Sequence, residues 1–210
     1  MSVAVELVFR EHDSRDLSRL EGAGLAGHSA ATTLRLAGFD GKIVLIGDEP
    51  ARPYERPPLS KQFLQGKRLS DELYFHSLEQ YAEQGIELKL GRHAIALDIV
   101  KQQLTLDDGE AVAYDKLLLT TGASPIRLRQ PGFDLPGVHY LRTLADSAEL
   151  GEQLRHGGRR VVVIGSGFIG SEVAASARVL GNEVTLVDLL PLPMVTALGE
   201  TLGELFAEVH

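Results

Sequence analysis

The sequence predicts an α/β fold built from two Rossmann-like dinucleotide-binding units. Two glycine fingerprints of the form G-x-G-x-x-G occur, at residues 22–27 and 165–170. Each is followed by a helix-forming stretch, and a helix-ending glycine comes 11 residues after the third fingerprint glycine, at Gly38 and Gly181. An apolar run typical of a buried parallel strand follows in each repeat. This repeated strand–helix–strand pattern is typical of dinucleotide-binding folds.

The glycine spacing has a physical explanation that indicates a phosphate-containing ligand. The first glycine allows a tight turn, the second lets a pyrophosphate approach the backbone, and the third lets the helix pack closely on the strand. The phosphates then lie at a helix N-terminus, where free N–H groups and the helix dipole favour anions. One fingerprint is weak evidence for a nucleotide site, whereas two in one chain indicate two dinucleotides that exchange electrons.

The second repeat is complete in the sequence. Residues 161–164 predict a buried strand, and residues 171–180 predict a helix that ends at Gly181. Residues 183–187 predict the next strand, and Asp188 follows it, 18 residues after the last fingerprint glycine. An acidic residue at about this distance binds the adenosine ribose hydroxyls in such folds.

The first repeat is regular after its third glycine. Residues 28–37 predict a helix, and residues 42–46 predict a strand, with Asp48 and Glu49 at the ribose position.

Before Gly22 the first repeat is irregular, because residues 14–21 are polar where a buried strand is expected. Either the apolar stretch at residues 3–9 serves as that strand through an inserted loop, or residues 1–21 are foreign to the fold. A reading-frame error or a cloning junction would produce such a foreign segment.

The segment between the repeats predicts a proline-set loop at residues 54–61, a helix at residues 71–84 and several strands. Asp108-Gly109 predicts a hairpin turn. A turn of small residues after the last strand can press the backbone against a ligand. The predicted strands are residues 86–90, 103–106 and 116–122.

After the second repeat, residues 195–210 predict one amphipathic helix, and no further strand follows. A dinucleotide-binding fold made of two halves is therefore expected to be incomplete at the C-terminus.

Composition narrows the function classes. The 210 residues are 44% hydrophobic and 24% charged, which is typical of a soluble globular protein. No signal peptide and no apolar run of roughly 18 residues occur, so a cytoplasmic protein without membrane contact is expected. The absence of cysteine excludes disulfide redox chemistry and cysteine-ligated metals, and the net charge of −8 argues against nucleic-acid binding. The seven histidines have no metal-ligand spacing, so no metal site is expected.

Four separated motifs together resemble the FAD-dependent, NADH-using ferredoxin reductases of bacterial oxygenase systems, within the pyridine nucleotide–disulfide oxidoreductase-like group. The likeness covers about residues 22–210, and the motifs occur in the family's order. The resemblance implies FAD at the first fingerprint, NAD(H) at the second, and a ferredoxin-type electron acceptor. A further FAD segment and a C-terminal interface domain of that family have no counterpart in these residues. The motifs are residues 22–48, 56–61, 119–123 and 165–188.

The resemblance also assigns site residues. Lys61 reaches the flavin ring with Glu172 as its acidic partner, and these two are the candidate catalytic residues. Residues implied to bind FAD are Gly22, Gly24, Ala26, Gly27, Asp48, Arg56, Pro57, Lys61, Ala94, Thr121, Gly122 and Arg142. Residues implied to bind NAD(H) are Gly165, Gly167, Phe168, Ile169, Gly170, Glu172 and Asp188.

Two of these assignments also follow from general chemistry. Hydride addition to a flavin leaves negative charge on the ring, which a lysine ammonium such as that of Lys61 stabilises. A carboxylate such as that of Asp188 accepts ribose hydroxyls and repels a 2′-phosphate, so it favours NADH over NADPH.

The expected organisation is an atypical segment at residues 1–21, part of an FAD-binding domain at residues 22–142 and part of an NAD-binding domain at residues 143–210. The expected function is electron transfer from NADH through FAD to a ferredoxin-type iron–sulfur protein. The alternatives are a non-catalytic nucleotide-binding fragment of such a reductase and a flavin-dependent NADH oxidase. The oligomeric state and the identity of the acceptor are not encoded in motifs.

Overall fold

The computed structural model of the chain describes residues 22–209, and residues 2–7 by their backbone alone. The contacts divide the chain into two compact units. The first unit comprises Met1–Glu55 and Tyr74–Ser124, and the second comprises Arg56–Leu73 and Pro125–His210. Each unit contains one fingerprint. The expected division into a segment at residues 1–21, an FAD-binding part at residues 22–142 and an NAD-binding part at residues 143–210 stays a prediction.

The first unit contains a four-stranded parallel sheet with the strand order β3-β2-β1-β7 and a three-stranded antiparallel sheet with the order β4-β5-β6. Two helices accompany these sheets. The elements are β1 (Ser2–Leu7), α1 (Leu25–Leu36), β2 (Lys42–Gly47), α2 (Leu78–Glu83), β3 (Ile86–Leu90), β4 (Ala94–Asp98), β5 (Gln103–Leu106), β6 (Ala111–Ala113) and β7 (Lys116–Thr120).

Strand β2 explains the layering of the first unit, because its side chains alternate between two buried faces. Ile43 and Leu45 pack with Ala31 of α1 on one face. Val44 and Ile46 pack on the other face against the antiparallel sheet, with Leu104 among their neighbours there. The parallel sheet is therefore covered on both sides, as its continuous apolar run predicts.

The second unit contains a parallel pair of strands, β8 and β9, in register from Arg160 opposite Glu183 to Ile164 opposite Val187. Its core joins side chains of the two strands to Leu64, Leu154, Val173 and Ala177. Two 3₁₀ turns, Pro57–Ser60 and Ser70–Glu72, also belong to this unit. The elements are α3 (Leu144–Leu154), β8 (Arg160–Ile164), α4 (Phe168–Val179), β9 (Glu183–Val187), α5 (Val195–Leu198) and α6 (Glu200–Val209).

The strand before the first fingerprint is formed by the apolar N-terminal stretch. The backbone of β1 pairs in parallel with both β2 and β7, which places it inside the sheet. This is the first of the two alternatives that the sequence left open. Residues 8–21, including the polar segment 14–21, lie outside the described residues.

Two predicted helices are wrong in extent. The helix predicted at residues 71–84 is only α2, because Tyr74 bridges Tyr54 and the Phe75 amide donates to the Pro53 carbonyl, so this segment is extended. Ser77 and Gln80 then form the capping box that begins α2. The helix predicted at residues 195–210 is two helices, because Gly199 has φ +82° and ends α5.

The other predicted elements are confirmed with small shifts of their ends, but the prediction that residues 161–164 form a buried strand is wrong in part, because β8 exposes Val162 and Ile164. Helices α1 and α4 begin three residues earlier than predicted, directly after the second fingerprint glycines. Strands β4 and β6 and helix α3 were not predicted, and β4 lacks a strict alternation of apolar and polar side chains. None of the helices in the described part of the chain has the length and apolarity that a membrane span requires.

Candidate functional site

The first fingerprint forms a tight loop at the start of α1, for which Gly24 is the N-cap residue. A Cβ atom on Gly27 would collide with the Gly22 carbonyl oxygen and would lie 2.9 Å from Leu45 Cδ1. A Cβ atom on Gly24, in contrast, would meet nothing within 4 Å. The third glycine therefore allows close packing of helix on sheet, and the second faces open space.

The second fingerprint repeats this arrangement in its own unit. Gly165 has φ +103°, a conformation that favours glycine, and its amide donates to the Val187 carbonyl at 2.8 Å. A Cβ atom on Gly170 would collide with the Gly165 carbonyl oxygen, whereas one on Gly167 would meet nothing within 4 Å.

Both loops therefore fit a pyrophosphate. In each, the second glycine leaves open space at the N-terminus of a 12-residue helix, and the first turn of that helix carries no acidic side chain. Unpaired N–H groups and the helix dipole favour an anion at such a point. The exposed Ala26 lies in the first turn of α1, and Phe168 and Ile169, 52% and 56% exposed, lie in the first turn of α4.

Thr120, a residue that the motif analysis did not single out, secures the first loop. Its buried hydroxyl donates to the Gly22 carbonyl at 2.7 Å. The predicted residues Thr121 and Gly122 follow directly, with Thr121 buried and Gly122 at φ +70°. The sequence shows Thr120 in the run Leu-Thr-Thr-Gly. It does not show that Thr120 bonds to Gly22, which is 98 positions away.

The two predicted ribose acids lie at equivalent strand ends. Asp48 follows β2 and is half-buried, while Asp188 follows β9 and is exposed. The amide of Leu190 donates to Asp188 Oδ1, and the amide and hydroxyl of Ser166 donate to Asp188 Oδ2. Hydrogen bonds from Leu190 and then from Ser166 lower the pKa of Asp188 to about 2, so this carboxylate is charged throughout the physiological range.

Ala94 lies in β4 with its side chain fully buried in the core of the first unit, next to Leu106. Backbone and side chain together are only 1% exposed. Its role as an FAD-binding residue stays a prediction.

The structure brings the two candidate catalytic residues together. Lys61 Nζ lies 2.7 Å from Glu172 Oε1, and the side chains are 38% and 31% exposed. Partial burial raises the pKa of Glu172, but hydrogen bonds from Lys61 and Ser60 outweigh this effect, so the pKa is below its usual value. Glu172 is therefore charged at neutral pH.

Ser60 is the residue of this site that the sequence reasoning missed. It is buried, and its hydroxyl donates to Glu172 Oε2 at 2.5 Å, while Lys61 Nζ lies 2.7 Å from Oε1. Its carbonyl accepts a hydrogen bond from Ser176 of α4 at 2.7 Å, and Gln65 donates to the same Ser176 hydroxyl. The loop with Lys61 is thus tied to α4 by side-chain bonds that no local pattern reveals.

The same loop is anchored at its other end. Arg56 donates to the Arg142 carbonyl at 2.7 Å, so two residues assigned to FAD binding are in direct contact. The Arg142 amide donates to Asp146, which also caps α3. Pro57 is exposed at the start of the 3₁₀ turn. Whether these residues contact a nucleotide stays a prediction.

Two histidines that the sequence places far apart meet in the first unit. The His28 ring stacks on Phe75 with a centroid distance of 4.7 Å, meets His76 edge-on at 4.8 Å, and His28 Nδ1 lies 2.7 Å from the Tyr81 hydroxyl. Burial, helped by His76, lowers the pKa of His28 to about 4, and burial raises that of Tyr81. Within residues 22–209, no group of three or more potential metal ligands occurs.

Comparison with known proteins gives a consistent result. Residues 22–210 match the family model described as pyridine nucleotide-disulphide oxidoreductase. Rhodocoxin reductase of Rhodococcus erythropolis is 42% identical over 189 residues, which are 90% of this chain and 44% of that protein. The ferredoxin–NAD(+) reductase component of a biphenyl dioxygenase system from Paraburkholderia xenovorans is 40% identical over 90% of this chain and 46% of that protein.

Solved structures agree with the sequence matches. A ferredoxin reductase from Rhodopseudomonas palustris superposes with a TM-score of 0.87 at 36% identity, covering all of this chain and 48% of that one. The reductase of a covalent putidaredoxin reductase–putidaredoxin complex gives 0.86 at 34% identity, again over all of this chain and 47% of that one. The chain thus spans about half the length of the relatives it matches.

Proposed function

The chain belongs to the pyridine nucleotide-disulphide oxidoreductase family. We propose that it functions as an FAD-dependent reductase, which passes electrons from NADH to a ferredoxin-type iron–sulfur protein. The observation that carries this proposal is the pair of fingerprint loops. In each, the third glycine is packed against the first, and the second faces open space at a helix N-terminus. Two such cradles in one chain suit two dinucleotides, one of which reduces the other.

The first cradle is proposed to hold FAD. Gly22, Gly24 and Gly27 shape the loop for the pyrophosphate, and Asp48, which follows β2, is proposed to bind the adenosine ribose. When bound, FAD supplies a ring that accepts a hydride and releases the electrons one at a time. The assignment of the FAD-binding part to residues 22–142 and of the NAD-binding part to residues 143–210 belongs to this proposal.

The second cradle is proposed to hold NADH. Gly165, Gly167 and Gly170 shape the loop, while Phe168 and Ile169 present exposed apolar surface in the first turn of α4. The permanently charged Asp188 accepts a ribose hydroxyl and repels a 2′-phosphate. NADH is therefore the expected electron donor, in preference to NADPH.

Lys61 and Glu172 are proposed to assist the hydride step. The Lys61 ammonium supplies positive charge where negative charge develops on the accepting ring. Glu172 holds that ammonium in place through the 2.7 Å ion pair, and Ser60 in turn holds Glu172. The charge is thus positioned before the reaction, which avoids the cost of reorienting it.

The electron acceptor and the location of the protein belong to the proposal as well. The relatives include reductase components named for ferredoxin and, in one solved structure, a reductase bound to putidaredoxin. A small iron–sulfur protein is accordingly the proposed partner, and the cytoplasm is the proposed compartment.

Flavin absorption tests the function directly. The purified chain, incubated with FAD and freed of unbound ligand, should be yellow, and its flavin absorption should bleach when NADH is added without oxygen. Lys61→Met should bind FAD but bleach more slowly, whereas the matched change Lys67→Met, at an exposed lysine of the same loop region, should not alter the rate.

Two results would contradict the proposal. A colourless chain that still binds NADH would support the alternative of a non-catalytic nucleotide-binding fragment. A yellow chain that NADH leaves unbleached would exclude electron transfer from that donor.

A further inference from the structure

The carboxylate of Asp188 is held in one orientation by three hydrogen-bond donors. Ser166 donates to Oδ2 twice, from its amide at 2.5 Å and from its hydroxyl at 2.7 Å. The Leu190 amide donates to Oδ1 at 3.0 Å. Ser166 is only 5% exposed, whereas Asp188 is exposed, so the anchoring groups are buried and the anchored carboxylate faces solvent.

An accounting of lone pairs shows which oxygen is left for a ligand. Each carboxylate oxygen accepts about two hydrogen bonds. The two bonds from Ser166 fill Oδ2, whereas the Leu190 amide donates to Oδ1 and the Leu189 amide also interacts with the carboxylate. Oδ1 carries the weaker bond at 3.0 Å and is therefore the oxygen better able to accept from a ligand.

We propose that the Ser166 hydroxyl is a positioning group that fixes Asp188 so that Oδ1 accepts a ribose hydroxyl, and that it thereby strengthens the preference for NADH over NADPH. This inference rests on the proposed NADH site. The hydroxyl prevents the carboxylate from rotating away, so the negative charge stays where the 2′-phosphate of NADPH would lie. Without this bond only backbone donors hold the carboxylate, so Asp188 turns aside more readily and the repulsion of the phosphate weakens.

The side-chain hydroxyl is what distinguishes Ser166 from most other residues at this position. Any residue between the first two glycines provides an amide, but of the side chains that fit a buried position in such a tight loop, serine and threonine offer a hydroxyl donor. The backbone of Ser166 is fixed independently, because its carbonyl accepts from the Met194 amide at 3.0 Å and from the Ser171 hydroxyl at 3.3 Å. Removing the hydroxyl should therefore leave the loop intact.

A cavity of the second unit borders this pair. Its volume is about 730 Å³, and it runs along α4 and β9, with Ser166, Asp188, Leu190 and Arg178 among the residues that line it. Cavities of about 300–1,000 Å³ with few polar groups are typical of small-molecule sites.

The test compares NADH and NADPH binding, measured by calorimetry, in the full chain and in Ser166→Ala. We expect Ser166→Ala to bind NADH about threefold more weakly and to narrow the NADH-to-NADPH preference about tenfold, since one hydrogen bond to a charged group is at stake. Ser166→Thr, which keeps the hydroxyl, should restore the preference. Ser147→Ala is the matched control, because it removes a buried hydroxyl that donates to the Leu59 carbonyl and not to Asp188.

The outcomes separate this inference from the proposed function. If Ser166→Ala keeps the original preference while Asp188→Ala loses it, the positioning role is wrong and the NADH site stands. If the unmodified chain binds neither nucleotide, the proposed NADH site fails and this inference with it. Should Ser166→Ala not fold, Ser166→Cys decides the matter, because it keeps the size of the side chain with a much weaker donor; an unchanged preference there would overturn the proposal.

Discussion

The two fingerprint units use the same loop but surround it differently. In the first unit, the third glycine is pressed against the loop and also against Leu45 of β2 and Thr120 of β7, within a parallel sheet that is buried on both faces. In the second unit, the nearest atoms to a Cβ on Gly170 belong to its own loop and to Val163 of its own strand. One face of the β8–β9 pair is exposed, with Val162, Ile164 and Val187 at 63%, 57% and 46%.

This difference shows that the geometry of the fingerprint loop and the burial of the sheet depend on different parts of the chain. The loop geometry depends on three glycines and one strand, and both units provide it. Burial of the sheet depends on elements distant in sequence, and within the described residues only the first unit provides it. A nucleotide cradle can therefore be well formed on a sheet that still exposes apolar side chains.

The largest expected effect comes from filling the space at the third glycines. Gly27→Ala and Gly170→Ala place a methyl group against a carbonyl oxygen, and each should lower the free energy of unfolding by about 3 kcal/mol. Urea unfolding measures this loss. A loss below about 1 kcal/mol at either position would contradict the close packing of the third glycine on its loop.

The matched controls are the second glycines. The methyl groups added by Gly24→Ala and Gly167→Ala lie in open space, so the free energy of unfolding should change by less than about 1 kcal/mol. The affinity for FAD or NADH should nevertheless fall, because the methyl group occupies the approach of the pyrophosphate. Unchanged affinity would indicate that the cradles do not face the phosphates.

A smaller effect is expected from the hydroxyl that secures the first loop. Thr120→Val leaves the buried Gly22 carbonyl without this donor and should cost about 2 kcal/mol in urea unfolding. Thr185→Val, at an exposed strand position of the second unit, serves as the control and should change stability by less than about 0.5 kcal/mol. A similar loss in both variants would remove the special role of Thr120.

The pH dependence should differ between the units because of His28. Its pKa in the fold is about 4, below its usual 6.5, so the unfolded chain binds the proton more readily. Stability is therefore constant above the usual pKa and falls as the pH decreases towards about 4. After allowance for solvent screening at this half-buried ring, about 1 kcal/mol should be lost between about pH 7 and pH 5.

Hydrogen exchange should place this acid-induced loss at the contacts of α1 with Phe75 and Tyr81 in the first unit. His28→Gln should flatten the pH profile, and His156→Gln, at an exposed histidine of the second unit, should leave it unchanged. A profile that is the same in His28→Gln and in the unmodified chain would show that another group is responsible.

The smallest expected effect compares one ion pair from each unit. Glu172→Gln breaks the pair with Lys61, whose side chains are 38% and 31% exposed, and should cost slightly under about 1 kcal/mol. Lys42→Met breaks the pair with Glu87, at 59% and 40% exposure, leaves Glu87 paired with Lys89, and should cost about 0.3 kcal/mol. Urea unfolding at low and high salt measures both, and a larger loss at Lys42 would contradict the ranking.

Much of the fold could be predicted because its signals are local. The apolar run of β9 gives its bounds without error, and Gly38 and Gly181 end their helices as expected. One prediction failed because distant backbone intervened: the pairing of Tyr54 with Tyr74 interrupts the helix expected at residues 71–84. The other failed on a local signal, because Gly199 at φ +82° divides the last helix.

The sequence by itself determined the two glycine loops, their helices and the acids at the strand ends, because each depends on residues only a few positions apart. Only the tertiary structure decided which side chains meet: Ser60 and Glu172 are 112 residues apart, and Ser166 and Asp188 are 22 apart. Only it decided that β1 lies between β2 and β7. The physical reason is that hydrogen bonds and burial act over a few ångströms in space, and the folding of the whole chain fixes those distances.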